Sequence, residues 1–255
     1  MTSLKTAVYT SDNDKLFYSK LDDGIYLCQK RRKPYFFSFL TEAEQARAQR
    51  YLDSAGFSSY SFFGGYGQSE RKVLCLDYYG DNPDFPISAL EFKFRAADKL
   101  THRDFLGALM SLGIERETVG DILVEDGRAV VFVKSEIEEY VKSQIFKIGS
   151  AGVKISDADT DSLPKGRGVE EKSLIVSSLR LDNVVAALTG LSREKTKNLI
   201  LSGNVTLNFD ECTNISKSVN DNDTLTVRGK GKFRINGVLG ETKKHRIRIS
   251  IIHYR

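Results

Sequence analysis

The side chains with the clearest chemical potential are cations set at regular spacings near the C-terminus. In Arg228-Gly229-Lys230-Gly231-Lys232-Phe233-Arg234, strand alternation would put Arg228, Lys230, Lys232 and Arg234 on one face. Two of the three intervening residues are glycines, which let another backbone approach closely. Four phosphates neutralised in this way would give a salt-sensitive, largely sequence-independent affinity for nucleic acid. His245-Arg246-Ile247-Arg248-Ile249 repeats the alternation, with the arginines outward and the isoleucines inward. Upstream, Arg193 and Lys197 are four apart and share a helix face, flanked by Lys195 and Asn198. Arg180 precedes a helix in which Asp182 can orient its guanidinium through a charge-assisted pair. This is the chemistry of holding phosphates, not of breaking bonds.

Other chemistries find little in the chain. The cysteines Cys28, Cys75 and Cys212 are far apart and form no CxxC, so neither a disulfide framework nor a metal site is expected. His102, His245 and His253 have no Cys or Asp at triad-like or metal-like spacing. Gly64-Gly65-Tyr66-Gly67 lacks the G-x-G-x-x-G spacing, has no following Lys-Ser/Thr and leads to a strand, so it is not read as a phosphate loop. No cofactor is expected. The chain should be non-enzymatic.

The charge supports this reading by its distribution. The 255 residues carry net +4, but residues 166–255 hold 16 Lys and Arg against 9 Asp and Glu, leaving residues 1–165 at net −3. An acidic first part could face a protein partner while the basic end holds RNA. Hydrophobic residues at 40% and charged residues at 28% are globular values. No stretch reaches the length of apolar sequence that a membrane helix needs, and the N-terminus lacks a secretory pattern, so a cytoplasmic location without membrane contact is expected.

The elements that must position these cations fall into an α+β arrangement of three small domains. Residues 1–82 read as mixed α/β, with a capping box at Thr41-Glu42-Ala43-Glu44 opening a helix to about Asp53. Strand-like Ser59–Phe63 and Lys72–Tyr78 follow. Asn82-Pro83-Asp84-Phe85-Pro86 marks a boundary. Residues 83–160 read β-α-β-β-α-β, the split-βαβ (ferredoxin-like, RRM-like) order. Its parts are a strand at Ser88–Arg95, a helix at His102–Leu112 closed by Gly113, and a hairpin turning on Asp126-Gly127. A helix over Glu136–Ile148 capped by Ser135 and a short strand at Gly152–Ser156 complete it. Leu90, Phe92 and Phe94 share the face that packs under the helices, so the aromatic display of an RNA-recognition sheet is missing. Residues 161–174 are polar and read as a linker. In residues 175–255, Leu181, Val184, Val185 and Leu188 form an apolar stripe ending at Gly190. Ser192 caps a second helix, and Val205–Asn208 is a strand.

Several of these runs carry a resemblance. Ser178-Leu179-Arg180-Leu181-Asp182, Leu191-Ser192-Arg193, Leu199 to Asn208 and Asp223 to Gly231 resemble, in order, the αL RNA-binding module named after the fourth small-subunit ribosomal protein. The resemblance implies RNA contacts by Arg180, Asp182, Ser192, Arg193, Lys195, Lys197 and Asn208. The chain departs from the module's pattern at Phe209, where Gly usually follows the Asn, and at Thr196, where a small residue is common. The Gly64-Gly65-Tyr66 turn, the segment Phe105 to Ile114 and the domain order further resemble the YlmH family of Gram-positive bacteria. That resemblance implies a ribosome-associated protein bound to structured rRNA or tRNA, acting on the large ribosomal subunit with peptidyl-tRNA in rescue of stalled nascent chains. A cell-division role is also attached to the family. No DNA partner is expected. The alternatives are a cell-division scaffold and an RNA-modifying enzyme, since Arg180-Leu181-Asp182 matches by letter a tripeptide of pseudouridine synthases. Its place at the start of the module's own first helix, with about seventy residues beyond it, argues against catalysis.

Overall fold

The computed structural model describes residues 12–79, 84–165 and 169–254. The Asn82-Pro83 part of the expected boundary, residues 166–168 of the expected linker and the N-terminal Met1–Ser11 lie outside the described residues. The chain divides into two compact units, Met1–Gly166 and Arg167–Arg255.

The first unit opens with α1 (Asp12–Arg31), β1 (Tyr35–Leu40), α2 (Glu42–Ser54), β2 (Tyr60–Phe63) and β3 (Lys72–Leu76). The strands form an antiparallel sheet in the order β1-β3-β2, and both helices pack Leu21, Cys28, Ala48 and Leu52 against Leu74 and Leu76. The Thr41 capping box forms: Glu44 N–H donates to Thr41 Oγ1, and Thr41 N–H donates to Glu44 Oε2 at 2.7 Å. The helix α1 had no counterpart in the sequence pattern. It turns only a narrow stripe inward, and at Gly24 an added Cβ would lie 2.6 Å from the Phe37 ring.

The unit continues with β4 (Ile87–Lys93), α3 (His102–Ser111), β5 (Val119–Glu125), β6 (Arg128–Lys134), α4 (Glu138–Gln144), the short pair β7 (Lys147–Ile148) and β8 (Ala151–Gly152), and β9 (Lys154–Asp157). The sheet order β5-β6-β4-β9 is the split-βαβ order. Asp126-Gly127 makes the β5–β6 turn, with Gly127 at φ +81°. Leu90 and Phe92 are buried under α3 against Phe105. The expected helix over Glu136–Ile148 is shorter. Ser135 begins a 3-10 turn instead of capping α4, and the backbone becomes extended at Ile145, so that Ile148 is buried from a strand.

One contact system joins these two sheets. The Asp121 carboxylate on β5 accepts from Tyr66 Oη at 2.9 Å, Glu70 N–H at 2.7 Å and Arg71 N–H at 3.0 Å. Arg71 in turn donates to the Val119 and Phe39 carbonyls, and buried Lys134 on β6 donates to the Phe37 carbonyl at 3.1 Å. Burial and the nearby carboxylate push the Tyr66 phenol well above its ordinary range, while burial lowers Arg71 and Lys134. Tyr66 stacks on Phe132 at 5.0 Å, and Phe39, Val73, Leu123, Val130 and Phe132 share one buried cluster. The glycine-rich turn at Gly64–Gly67 is therefore a docking element. At Gly65, φ is +99° and an added Cβ would lie 2.3 Å from Phe132.

The second unit comprises β10 (Val169–Val176), α5 (Leu181–Thr189), α6 (Arg193–Leu201), β11 (Val205–Leu207), β12 (Asp210–Glu211), β13 (Thr224–Val227), β14 (Gly231–Glu241) and β15 (Ile247–Tyr254). Its antiparallel sheet runs β10-β15-β14-β13-β11-β12. Within the expected linker 161–174, residues from Val169 onward are strand, correcting that expectation. β10 pairs with β15 from Val169↔Tyr254 to Val176↔Ile247, and its polar residues reflect an edge position, not a lack of structure. The helices pack Leu181, Val184, Val185 and Ile200 onto Val205, Leu225, Val227, Phe233, Ile235, Ile249 and Ile251.

Gly65→Ala is expected to destabilise the first unit by about 1–3 kcal/mol, because overpacking against Phe132 is added to a left-handed backbone. Urea denaturation of the full chain checks this; a change below about 0.5 kcal/mol would remove the docking role given to this turn.

Candidate nucleic-acid interface

The second unit brings the N-termini of its two helices together. Arg180, in extended conformation just before α5, donates from Nε to Asp182 Oδ1 at 3.1 Å and from Nη2 to Oδ2 at 2.9 Å. This two-bond fork fixes the guanidinium plane. The hydrogen bond from Arg180 holds the Asp182 carboxyl below the usual carboxylate range, and the charges of Arg180 and Arg193 act in the same direction. Arg193 is therefore within electrostatic reach of the pair. It stands at the first position of α6, where Ser192 Oγ accepts from Lys195 N–H at 3.4 Å. Ser192 is thus a helix cap. Lys195 and Lys197 are exposed on the same helix, and Thr196 and Ile200 face the core. Cations in the first turns of a helix work against its dipole, so they lower helix stability and raise the positive potential at its exposed N–H groups.

The loop after β12 closes the group. The Leu181 N–H donates to the Lys217 carbonyl at 2.8 Å and Asp182 N–H to the Ile215 carbonyl at 3.1 Å, while Arg180 bridges to Ser218. Exposed Lys217 therefore sits beside the start of α5. A single lysine in a polar loop carries no sequence signal, and sequence reasoning did not single it out.

The other cations are arranged differently from the expectation. Arg228 and Lys230 are not on a strand face: with Gly229 they form the turn between β13 and β14, and Val227 pairs with Gly231 across it. Gly229 and Gly231 have φ of +74° and +117°, so the glycines make the turn that breaks the alternation. Lys232 and Arg234 do alternate on β14, but Phe233 and Ile235 between them point into the core under the helices. Lys232 and Arg234 consequently lie on the opposite face of the sheet from α5 and α6. There Lys232 Nζ lies 4.6 Å from the Tyr254 ring centroid, and Arg234 donates to Asn222 Oδ1 at 2.9 Å. Arg246 precedes β15, so the outward alternation begins only with Arg248. Asn208 is engaged within the fold: its side chain donates to Asp223 at 2.8 Å and accepts from Thr224 N–H at 2.9 Å. With Phe209 it forms the two-residue turn between β11 and β12, both at positive φ, 51° and 71°. The backbone thus adopts the turn conformation that Asn-Gly favours, with Phe held in it.

Some cations are paired and others are not. In the first unit, Lys142 is held by Glu138 and Asp157, Arg128 by Glu91 and Glu125, Arg95 by Asp98 and Lys99 by Asp126. In the second unit, exposed Arg193, Lys195, Lys197, Lys217, Arg228 and Lys230 make no ion pair among the described residues. Among the described residues no group of His, Cys, Asp and Glu is placed to hold a metal ion, and no helix is long and apolar enough to cross a membrane.

The fold and this surface define an α+β protein that joins a split-βαβ sheet to a helix pair and antiparallel sheet with unpaired cations. A family model described as "Putative RNA-binding domain in YlmH" matches residues 81–162. The chain is 34% identical over 245 residues to "Ribosome-associated protein quality control protein P2" of Bacillus subtilis (strain 168), covering 93% of this chain and 94% of that protein. In fold it is similar to "Cell division protein ylmH from Streptococcus pneumoniae", with a TM-score of 0.53 and 22% identity over 62% of this chain and 99% of that one. The chain belongs to the YlmH family.

The Thr196 hydroxyl is buried, at 1% exposure, and makes no hydrogen bond among the described residues. Thr196→Val keeps the shape and removes the unsatisfied hydroxyl, so a stability gain of about 1 kcal/mol is expected, read as a higher urea midpoint at unchanged slope. A loss of stability would show that the hydroxyl has a partner.

Proposed function

We propose that this chain is a non-enzymatic RNA-binding protein of ribosome-associated quality control. In this reading it grips structured rRNA or tRNA by phosphate contacts on the large ribosomal subunit, with peptidyl-tRNA, during rescue of stalled nascent chains. The observation that carries the proposal is the exposed, unpaired Arg193, Lys195, Lys197 and Lys217 together with the fixed Arg180–Asp182 fork. Unpaired surface cations are ready to take phosphate partners without first breaking internal ion pairs. The name of the Bacillus subtilis relative supports the ribosomal setting.

Asp182 enters this reading as a positioning group. Its carboxylate is occupied by Arg180 and by the Asn183 N–H at 2.9 Å, and its side chain is 13% exposed. A carboxylate so engaged orients a guanidinium toward phosphate, and the Arg-Leu-Asp letters need no catalytic explanation.

The test is sedimentation of the full chain with isolated ribosomal subunits at low and raised salt, with wild type beside Arg180→Ala/Arg193→Ala. Co-migration with the large subunit that falls with salt and is lost in the variant is expected. For a purified structured RNA, Arg193→Ala/Lys197→Ala should flatten the log–log salt dependence by about two, at roughly 0.9 per phosphate contact. Indifference of ribosome binding to salt and to both variants would favour the scaffold reading.

A further inference from the structure

Four consecutive cations, Lys30 and Arg31 at the end of α1 and Arg32 and Lys33 just beyond it, stand in the otherwise acidic part of the chain. All four are exposed, and none makes an ion pair among the described residues. Three tyrosine rings accompany them, Tyr26, Tyr78 and Tyr79, exposed by 54%, 42% and 61%. Lys30 Nζ lies 5.2 Å from the Tyr26 ring centroid and the Arg32 guanidinium 5.9 Å from that of Tyr78. The rings and the cations are therefore one patch.

The fold holds this patch in place. The Cys28 thiol, two residues before the cations begin, donates to the Leu76 carbonyl at the end of β3, tying the helix to the strand that delivers Tyr78 and Tyr79. Buried Asp77 accepts from the Tyr79 N–H at 3.1 Å, and the two rings meet edge-to-face with centroids 5.0 Å apart. Arg32 has φ +50°, a left-handed conformation rarely taken by a residue with a side chain, so the end of the basic run turns at a conformational cost.

We infer that this patch is a second nucleic-acid contact, for an unpaired RNA segment whose bases stack on the tyrosines while the cations follow its phosphates. Aromatic rings interleaved with cations are the combination that binds single strands without reading sequence. The exposed apolar surface here is phenol ring, not aliphatic chain, which fits flat bases better than lipid tails. An acidic peptide would use the cations and leave three exposed rings without a role. These residues all belong to the first unit, and the bases-on-rings chemistry differs from phosphate gripping of folded RNA.

The test uses the full chain and a 12-nucleotide oligouridine, in wild type and in the Arg193→Ala/Lys197→Ala background. Ultraviolet cross-linking with mass spectrometry should place adducts on Tyr26, Tyr78 or Tyr79. The chain has no tryptophan, so its tyrosine fluorescence should also be quenched on binding. Tyr78→Ala/Tyr79→Ala should weaken oligouridine binding at least about five-fold, the lower end of the range for one stacked base. Lys30→Ala/Arg32→Ala keeps the rings and should weaken binding with a shallower salt dependence, while melting as the wild type does. Adducts confined to residues 167–255, or unchanged affinity in both variants, would overturn the inference. So would absence of oligouridine binding together with binding to phosphatidylserine vesicles that both variants lose.

Discussion

The Asp121 carboxylate is the contact on which the layout of the first unit depends. It takes three donors from one short segment, the Tyr66 hydroxyl and the Glu70 and Arg71 N–H groups. Hydrogen bonds to a charged group contribute about 1.5–3 kcal/mol each, and leaving such a group unsatisfied in a buried site costs more than the bond itself. The segment must therefore follow the β5 edge closely, which brings Tyr66 over Phe132 and requires glycine at position 65. The sheet of β1–β3 and the sheet of β4–β6 and β9 then meet through Phe39, Val73, Leu123, Val130 and Phe132. The face of the split-βαβ sheet that carries Val130 and Phe132 is thus taken up by protein. An RNA-recognition sheet presents bases to stacking residues on its open face. Here Phe132, the aromatic residue at the middle of that face, is fully buried.

This constraint explains which parts of the structure could be read from sequence. Local signals survive because their energetics are local: the Thr41 capping box, the Asp126-Gly127 turn, the Gly190 helix end and the Ser192 cap all form where the residue types require them. The split-βαβ order was legible for the same reason, since alternation in β4 and the β5–β6 hairpin mark its strands. The docking of the two sheets was not legible. Nothing in the letters of Gly64–Gly67 says that the neighbour of Gly65 is an aromatic ring on a strand nearly seventy residues later. α1 was missed because its buried stripe of Leu21, Gly24 and Cys28 includes a glycine and a thiol, which do not register as an apolar period.

The candidate surface of the second unit shows the same division between local and non-local information. The Arg180–Asp182 fork spans two residues and is present as the spacing implied. Alternation failed at Arg228 and Lys230 because the two glycines that promised close approach have positive φ and build a turn. Alternation held at Lys232 and Arg234, yet the same periodicity that aligned them put Phe233 and Ile235 toward the helices and the cations away from them. A period of two says which residues share a face. It does not say which face meets the helices.

The surplus of positive charge has a physical cost that the fold meets locally. Arg193 and Lys195 sit in the first turn of α6, where the dipole favours anions, with only Glu194 opposing them there, and Lys197 follows one turn on from Arg193. Ser192 and the apolar contacts of Ile200 hold the helix in place while its exposed side remains uncompensated. The first unit handles its cations in the opposite way, with carboxylates placed against Lys142, Arg128, Arg95 and Lys99. The first unit also keeps one unpaired run, Lys30–Lys33 at the end of α1, among exposed rings. Uncompensated charge therefore follows surface that the core does not use, which leaves it available for a polyanion.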